Sequence, residues 1–101
     1  MTAYNIVRFR VKPGMEQAFI ASQKKSIEAG DLPGGMSAAL VHTGDRQYCF
    51  VGRWENFDAI VAARPTMIGF LNEVRDYLED LGGGLGVTDP VSGEAVVERV
   101  N

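Results

Sequence analysis

Histidine and cysteine each occur once in the 101 residues. A lone cysteine makes no intrachain disulfide, and one cysteine with one histidine cannot build a Cys/His metal cluster. No apolar run approaches the ~20 residues of a membrane-spanning helix. Positive charge is in short supply: 10 Lys and Arg stand against 13 Asp and Glu, a formal net charge of −3. That balance argues against nucleic acid or an anionic membrane as partner, since both require a basic face. The first ten residues, MTAYNIVRFR, alternate like a strand and lack the apolar core of a signal peptide. The expectation is a soluble, cytoplasmic protein that binds no metal and touches neither nucleic acid nor membrane.

What the chain does have is an apolar fraction of 46%, ordinary for a globular protein, in a length that fits one domain over residues 1–101. Its most informative stretch is GDRQYCFVGRWENFDAIVAA, residues 44–63. Gly44-Asp45 lies between two β-rich apolar runs, a two-residue hairpin signal. Tyr48, Cys49, Phe50, Val51 and Trp54 suit a pleated sheet. Asn56 can then cap a helix in which Phe57, Ile60 and Val61 recur at helical spacing.

A loop at Gly44-Asp45 pairs Thr43 with Arg46 and Val41 with Tyr48. Ser37, Ala39 and Val41 then share a face with Tyr48, Phe50, Gly52 and Trp54. Both faces of this hairpin are largely apolar. A sheet with one wet face alternates more cleanly, so each face needs a cover. The helices of one chain cover one; the other calls for a partner chain.

The remaining elements follow in order. Residues 3–12 alternate as a strand, with Ala3, Asn5, Val7, Phe9 and Val11 on the apolar face. Residues 15–29 make a helix with Met15, Ala18, Phe19 and Ser22 inward and Gly30 as C-cap. Asp31 to Gly35 is a connector. Strands are expected at 36–43 and 46–55, then a helical segment from 57 to about 63 that Pro65 breaks or restarts. From Thr66 the pattern is helical, with Met67, Phe70, Leu71, Val74, Leu78 and Leu81 on one face and Arg75 paired with Glu79. Gly82-Gly83-Gly84 ends it, residues 82–93 read as a mobile loop, and 94–100 as the last strand. The order βαββαβ gives an α+β, ferredoxin-like fold: a four-stranded antiparallel sheet with both helices on one face.

The first strand with VKPGMEQAF, the YCFVGRWENFDAIVAA handover and the terminal AVVERV resemble the antibiotic biosynthesis monooxygenase (ABM) domain, from about Tyr4 to Val100. The best of these short motifs is Trp54 closing a strand, followed by a helix opening NFDAI. The resemblance implies a homodimer of the dimeric α+β barrel type, with a pocket between sheet and helices in each subunit. It implies a monooxygenase without cofactor, acting with O2 on an aromatic, phenolic or quinol-like small molecule. It does not extend to haem degradation: the helix after Trp54 carries Ala62, Ala63, Arg64 and Asn72 and no histidine. The alternatives on the same scaffold are a non-catalytic binding or stress-response dimer and a cofactor-free isomerase.

Candidate site residues follow from side-chain chemistry. Asn5 interrupts an apolar face, where a buried amide must be hydrogen-bonded; it is a candidate to hold a substrate oxygen or developing enolate. His42, the one histidine, is a candidate base, or else a solvated residue beside a turn. Tyr48 is a candidate proton donor, with Tyr77 beside it as an alternative, or a packing residue. Trp54 is a candidate stacking platform for an aromatic ligand, or core. Arg64 is a candidate clamp for an anion and Asn72 a polar group near the pocket edge, or both are surface residues. Cys49 reads as a small buried hydrophobe. The run GGGLG follows a helix and has no lysine, so it is a helix stop rather than a phosphate cradle.

Overall fold

The computed structural model describes residues 1–30 and 32–100. Its elements are β1 (Ala3–Arg10), α1 (Glu16–Ala29), β2 (Gly35–Gly44), β3 (Gln47–Trp54), α2 (Phe57–Val74) and β4 (Asp89–Glu94), with one 3₁₀ turn at Arg75–Tyr77 after α2. The strands form one sheet in the order β2-β3-β1-β4, every neighbouring pair antiparallel. This is the α+β, ferredoxin-like architecture expected from the element order. Of the expected connector, Asp31 lies outside the described residues, as does Asn101 at the chain end.

The apolar face of β1 is buried as its alternation predicts: Ala3, Asn5, Phe9 and Val11 are all inside. The helices pack on this face, and the core forms two clusters. Phe9 and Tyr48 close on Phe19 of α1, with ring centroids 5.3 and 5.5 Å away, together with Val11, Val74 and Leu78. At the other end, Ala3 and Trp54 pack on Ile60 and Ala63 of α2. Asn56 caps α2 as its position suggests, its Oδ1 accepting from the Ala59 N–H at 2.8 Å. Gly30 ends α1 in the left-handed region, φ 59°.

Six expectations need correction. The hairpin loop is Asp45-Arg46, not Gly44-Asp45: Gly44 pairs with Gln47, His42 with Tyr48 and Leu40 with Phe50, with an irregularity between His42 and Gly44. A one-residue slip turns a strand over, so Ala38, Leu40 and His42, rather than Ser37, Ala39 and Val41, share the face of Tyr48, Phe50, Gly52 and Trp54. The residue that takes the positive φ is Arg46, at 56°, a conformation that costs an L-residue roughly 1–2 kcal/mol. Its anchors offset that. The guanidinium donates to the Val11 carbonyl at 2.9 Å and to Glu79 at 2.5 Å, and the Arg46 carbonyl accepts the Val11 N–H at 2.8 Å. Glu79 is therefore tied to Arg46 rather than to Arg75, whose guanidinium reaches Asn72.

In α1, Phe19 and Gln23 are buried while Met15 is exposed, so the inner stripe is turned relative to the predicted one. Pro65 does not break α2, which runs through it. The carbonyl that loses its donor belongs to Val61, a residue exposed on the outer side of the helix. The helical pattern also stops sooner than predicted: Leu78 is extended and bridges Val11, with Lys12 N–H bonded to the Tyr77 carbonyl and Glu79 N–H to the Arg10 carbonyl. Finally, the last strand is residues 89–94, inside the segment read as a loop. Pro90 sits opposite Val7 on an edge strand, a place where a missing N–H costs no ladder bond.

Among the described residues, no helix covers the opposite sheet face. Ile6, Val41 and Val91 stand exposed there, at 37, 43 and 58%, around half-buried Val51 and Cys49. An ion pair from Arg8 to Asp89 at 2.8 Å lies at one margin. At another, Glu98 gathers the Thr2 hydroxyl at 2.6 Å, the Arg53 Nε–H at 3.0 Å and the Tyr4 hydroxyl. The Ala95 N–H bonds the Thr2 carbonyl at 2.9 Å and leads into that contact.

Candidate functional site

Between the two core clusters lies a cavity of about 700 Å³, within the size range of small-molecule sites. Its floor is the middle of the sheet: Asn5 and Val7 of β1, Phe50, Gly52 and Trp54 of β3. Its walls come from α1, α2 and β4.

Asn5 and Gly52 face each other across the β1–β3 ladder. Trp54 donates its indole N–H to Asn5 Oδ1 at 2.7 Å. An indole nitrogen only donates, so this bond fixes which end of the amide faces which way. The amide NH₂ turns toward α2, where its partner is the Met67 sulfur at 3.7 Å. Thioether sulfur is a weak acceptor, so a buried donor is held on the cavity floor with capacity to spare. The arrangement depends on Gly52. A methyl group added there would sit 2.4 Å from Asn5 Oδ1 and 2.9 Å from Trp54 Nε1.

Arg64 of α2 stands at the cavity wall. Its guanidinium lies 5.6 Å from the Phe57 ring centroid and donates to Ser92 Oγ of β4 at 3.2 Å. It links the helix to the edge strand and carries a fixed positive charge. Among the described residues that line the cavity, it is the one ionisable side chain.

Of the six candidate residues, the fold brings Asn5, Trp54 and Arg64 together at the cavity. The other three lie elsewhere. His42 is exposed near the hairpin end and stacks on Tyr48 with centroids 5.0 Å apart. Tyr48 is 6% exposed and packed in the core cluster. Asn72 is exposed and accepts from Arg75 at 3.2 Å. Three residues at the cavity went unread in the sequence. Gly52 could have been found as a glycine inside a strand, which marks close approach of another group. Gln23 falls one turn after Phe19 and one before Ile27, on the stripe that Phe19, Ile20 and Ile27 define. Ser92 had no signal while its strand read as a loop.

A sequence model described as antibiotic biosynthesis monooxygenase matches residues 2–66. The chain belongs to the ABM family. No curated protein sequence matches it. Among solved structures, Rv0793 from Mycobacterium tuberculosis superposes with a TM-score of 0.80 at 16% identity, over 99% of this chain and 100% of that one. A putative antibiotic biosynthesis monooxygenase from Nitrosomonas europaea gives 0.78 at 15% identity, over 94% and 90%. SnoaB, a cofactor-independent oxygenase from Streptomyces nogalater, gives 0.74 at 16% identity, over 96% and 95%. At these identities the likeness is one of fold. Among the described residues, no group of three His, Cys, Asp or Glu side chains is placed to hold a metal ion, and no helix is long and apolar enough to cross a membrane.

Proposed function

We propose that this ABM protein is a monooxygenase that oxidises an aromatic, phenolic or quinol-like small molecule with O2 and without a cofactor, as a homodimer. The observation that carries the reading is the Trp54–Asn5 pair: an amide locked by the indole, its NH₂ directed over the floor of a mostly apolar cavity. Such a donor favours an oxygen on which negative charge develops, and it does so without reorganising. Arg64 adds a positive charge at the wall. Together they favour the enolate or phenolate form of a ring system, whose carbanion character lets it give electrons to O2. In the net reaction the substrate gives up two hydrogens, one from a ring carbon and one from its hydroxyl, that ring carbon gains one oxygen atom as a carbonyl, and the second oxygen leaves as water. The electrons come from the substrate.

His42 lies away from the cavity, so the base role weighed for it falls to the substrate's own acidity or to water. The rival reading, a binding dimer without catalysis, draws support from the same fact. Oxygen uptake separates the two. With a panel of naphthalene- and anthracene-type quinols, wild-type protein is expected to consume O2 above the spontaneous rate, and Asn5→Ala to lose about 10²–10³-fold of that rate. Substrate binding with no O2 uptake above background would establish the binding reading instead.

A further inference from the structure

Gln23 is 8% exposed, in the middle of α1, and lines the cavity. Its amide makes no hydrogen bond to any other described residue, although a glutamine carries two donor hydrogens and an acceptor. Among the described residues no fully buried side-chain nitrogen or oxygen is left without a partner, so both ends of this amide keep a little accessible surface, and the cavity is what Gln23 borders. The side chains before and after it on the inner stripe, Phe19 and Ile27, are apolar. A methionine or leucine would fill the position without the cost of holding an unpaired polar group there.

We infer that Gln23 is a ligand-binding residue and that the cavity takes a flat aromatic molecule with polar groups at two opposite ends, one held by Asn5 on the sheet and the other by Gln23 on α1. This rests on the reading of the cavity as an aromatic site and names which aromatics it selects. Asn5 reaches the cavity from β1 and Gln23 from α1, so the two amides approach a ligand from different elements. Between them the walls are apolar, including Val7, Phe50, Ile60 and Leu71. The amide can donate to a ketone or phenolate oxygen and accept from a hydroxyl. It therefore recognises either oxidation level of a quinol and does not select between them. Selection falls on shape: a ligand with one polar end leaves Gln23 unpaired, and loses affinity as a hydrogen-bonding site loses an analogue that lacks the group.

The test compares 2-naphthol with 2,6-dihydroxynaphthalene by titration calorimetry, under argon, on wild type and on Gln23→Met and Gln23→Glu. Wild type is expected to bind the diol about three- to tenfold more tightly, the worth of one neutral hydrogen bond. In Gln23→Met the diol falls to the affinity of 2-naphthol, which itself does not change. Gln23→Glu lies between, keeping the acceptor and losing the donor. Thermal unfolding supplies a second readout. A residue held for a ligand is destabilising when the ligand is absent, so Gln23→Met is expected to raise the empty protein's Tm by roughly 4 °C. The inference is overturned if Gln23→Met keeps the preference for the diol, if it weakens both compounds equally, if its Tm falls, or if neither compound binds wild type. Discrimination through Gln23 without O2 uptake would leave this inference standing and remove the oxygenase reading. Oxygen uptake with no role for Gln23 would do the reverse.

Discussion

Gly52 is the residue on which the Asn5–Trp54 pair depends most directly. Both groups that form it occupy the space where a side chain at 52 would start. Gly52→Ala must push the amide off the indole or move the strand, and overpacking of this kind costs about 1–3 kcal/mol. The expected outcome is a Tm lowered by several degrees together with loss of ligand affinity. A Gly52→Ala protein with wild-type Tm and affinity would mean that the pair is not held as described. Residue scale is also where the sequence spoke least evenly. Asn5 was legible because one polar residue broke an apolar alternation. Trp54 was legible as a large ring at a strand end. The bond between them was not, because it joins residues 49 apart in sequence through a register that only the folded ladder sets. His42 and Tyr48 drew notice for their chemistry, and the fold stacked them on each other away from the cavity.

Elements were read well wherever one periodicity ran uninterrupted. β1, α1, β3 and the start of α2 all fall within a residue or two of their expected bounds. The errors have local physical causes. Gly44-Asp45 reads as the hairpin loop, and Asp45-Arg46 forms it instead, with Arg46 held at positive φ by its bonds to Glu79 and the Val11 carbonyl. Pro65 looked like a break, yet the bond it removes falls on the wet side of α2. The terminal AVVERV looked like a strand, but β4 formed earlier, and the tail is held by side chains instead. Glu98 is central to that tail. Bonds from Arg53, then from the Thr2 and Tyr4 hydroxyls, lower its pKa from 4.5 to about 2, and the same contact raises the pKa of Tyr4. Because the folded pKa lies below the unfolded one, the tail's attachment is complete above about pH 4.5 and is lost as pH falls toward 2. Carboxyl chemical shifts should give a Glu98 midpoint near 2. Glu98→Gln should free the tail for digestion by carboxypeptidase at neutral pH, where wild type resists. A midpoint in the ordinary glutamate range would show that the clamp does not exist in solution.

At the scale of the whole molecule, the sheet has one face under helices and one that is apolar and open. Ile6 stands near its centre, between Val51 on β3 and Val91 on β4, and charged pairs such as Arg8–Asp89 and Arg53–Glu98 stand at its margins. An apolar centre with a polar rim is the anatomy of an interface. Val96, Val97 and Val100, exposed at 87, 92 and 62% on the tail, extend the apolar surface. A second copy of the chain is the proposed cover. Ile6→Glu then buries an unpaired charge in the interface, and sedimentation at micromolar concentration should give twice the chain mass for wild type and the chain mass for the variant. The wild-type Tm should also rise with concentration. A wild type that sediments as a single chain would leave this face without the cover proposed for it. The open apolar face was legible in the sequence even though the hairpin register was wrong, because both faces are apolar whichever way β2 is turned.

Trp54 is the chain's single tryptophan, and it stands at the cavity floor with its indole N–H on Asn5. All of the protein's indole emission therefore originates beside the space a ligand would fill. A guest that stacks on the ring, accepts its excitation or pulls Asn5 away must change the colour or brightness of that light. Unmodified protein is thus its own optical sensor, and a library of unlabelled aromatic compounds can be ranked by emission alone before any of them is known to be a substrate.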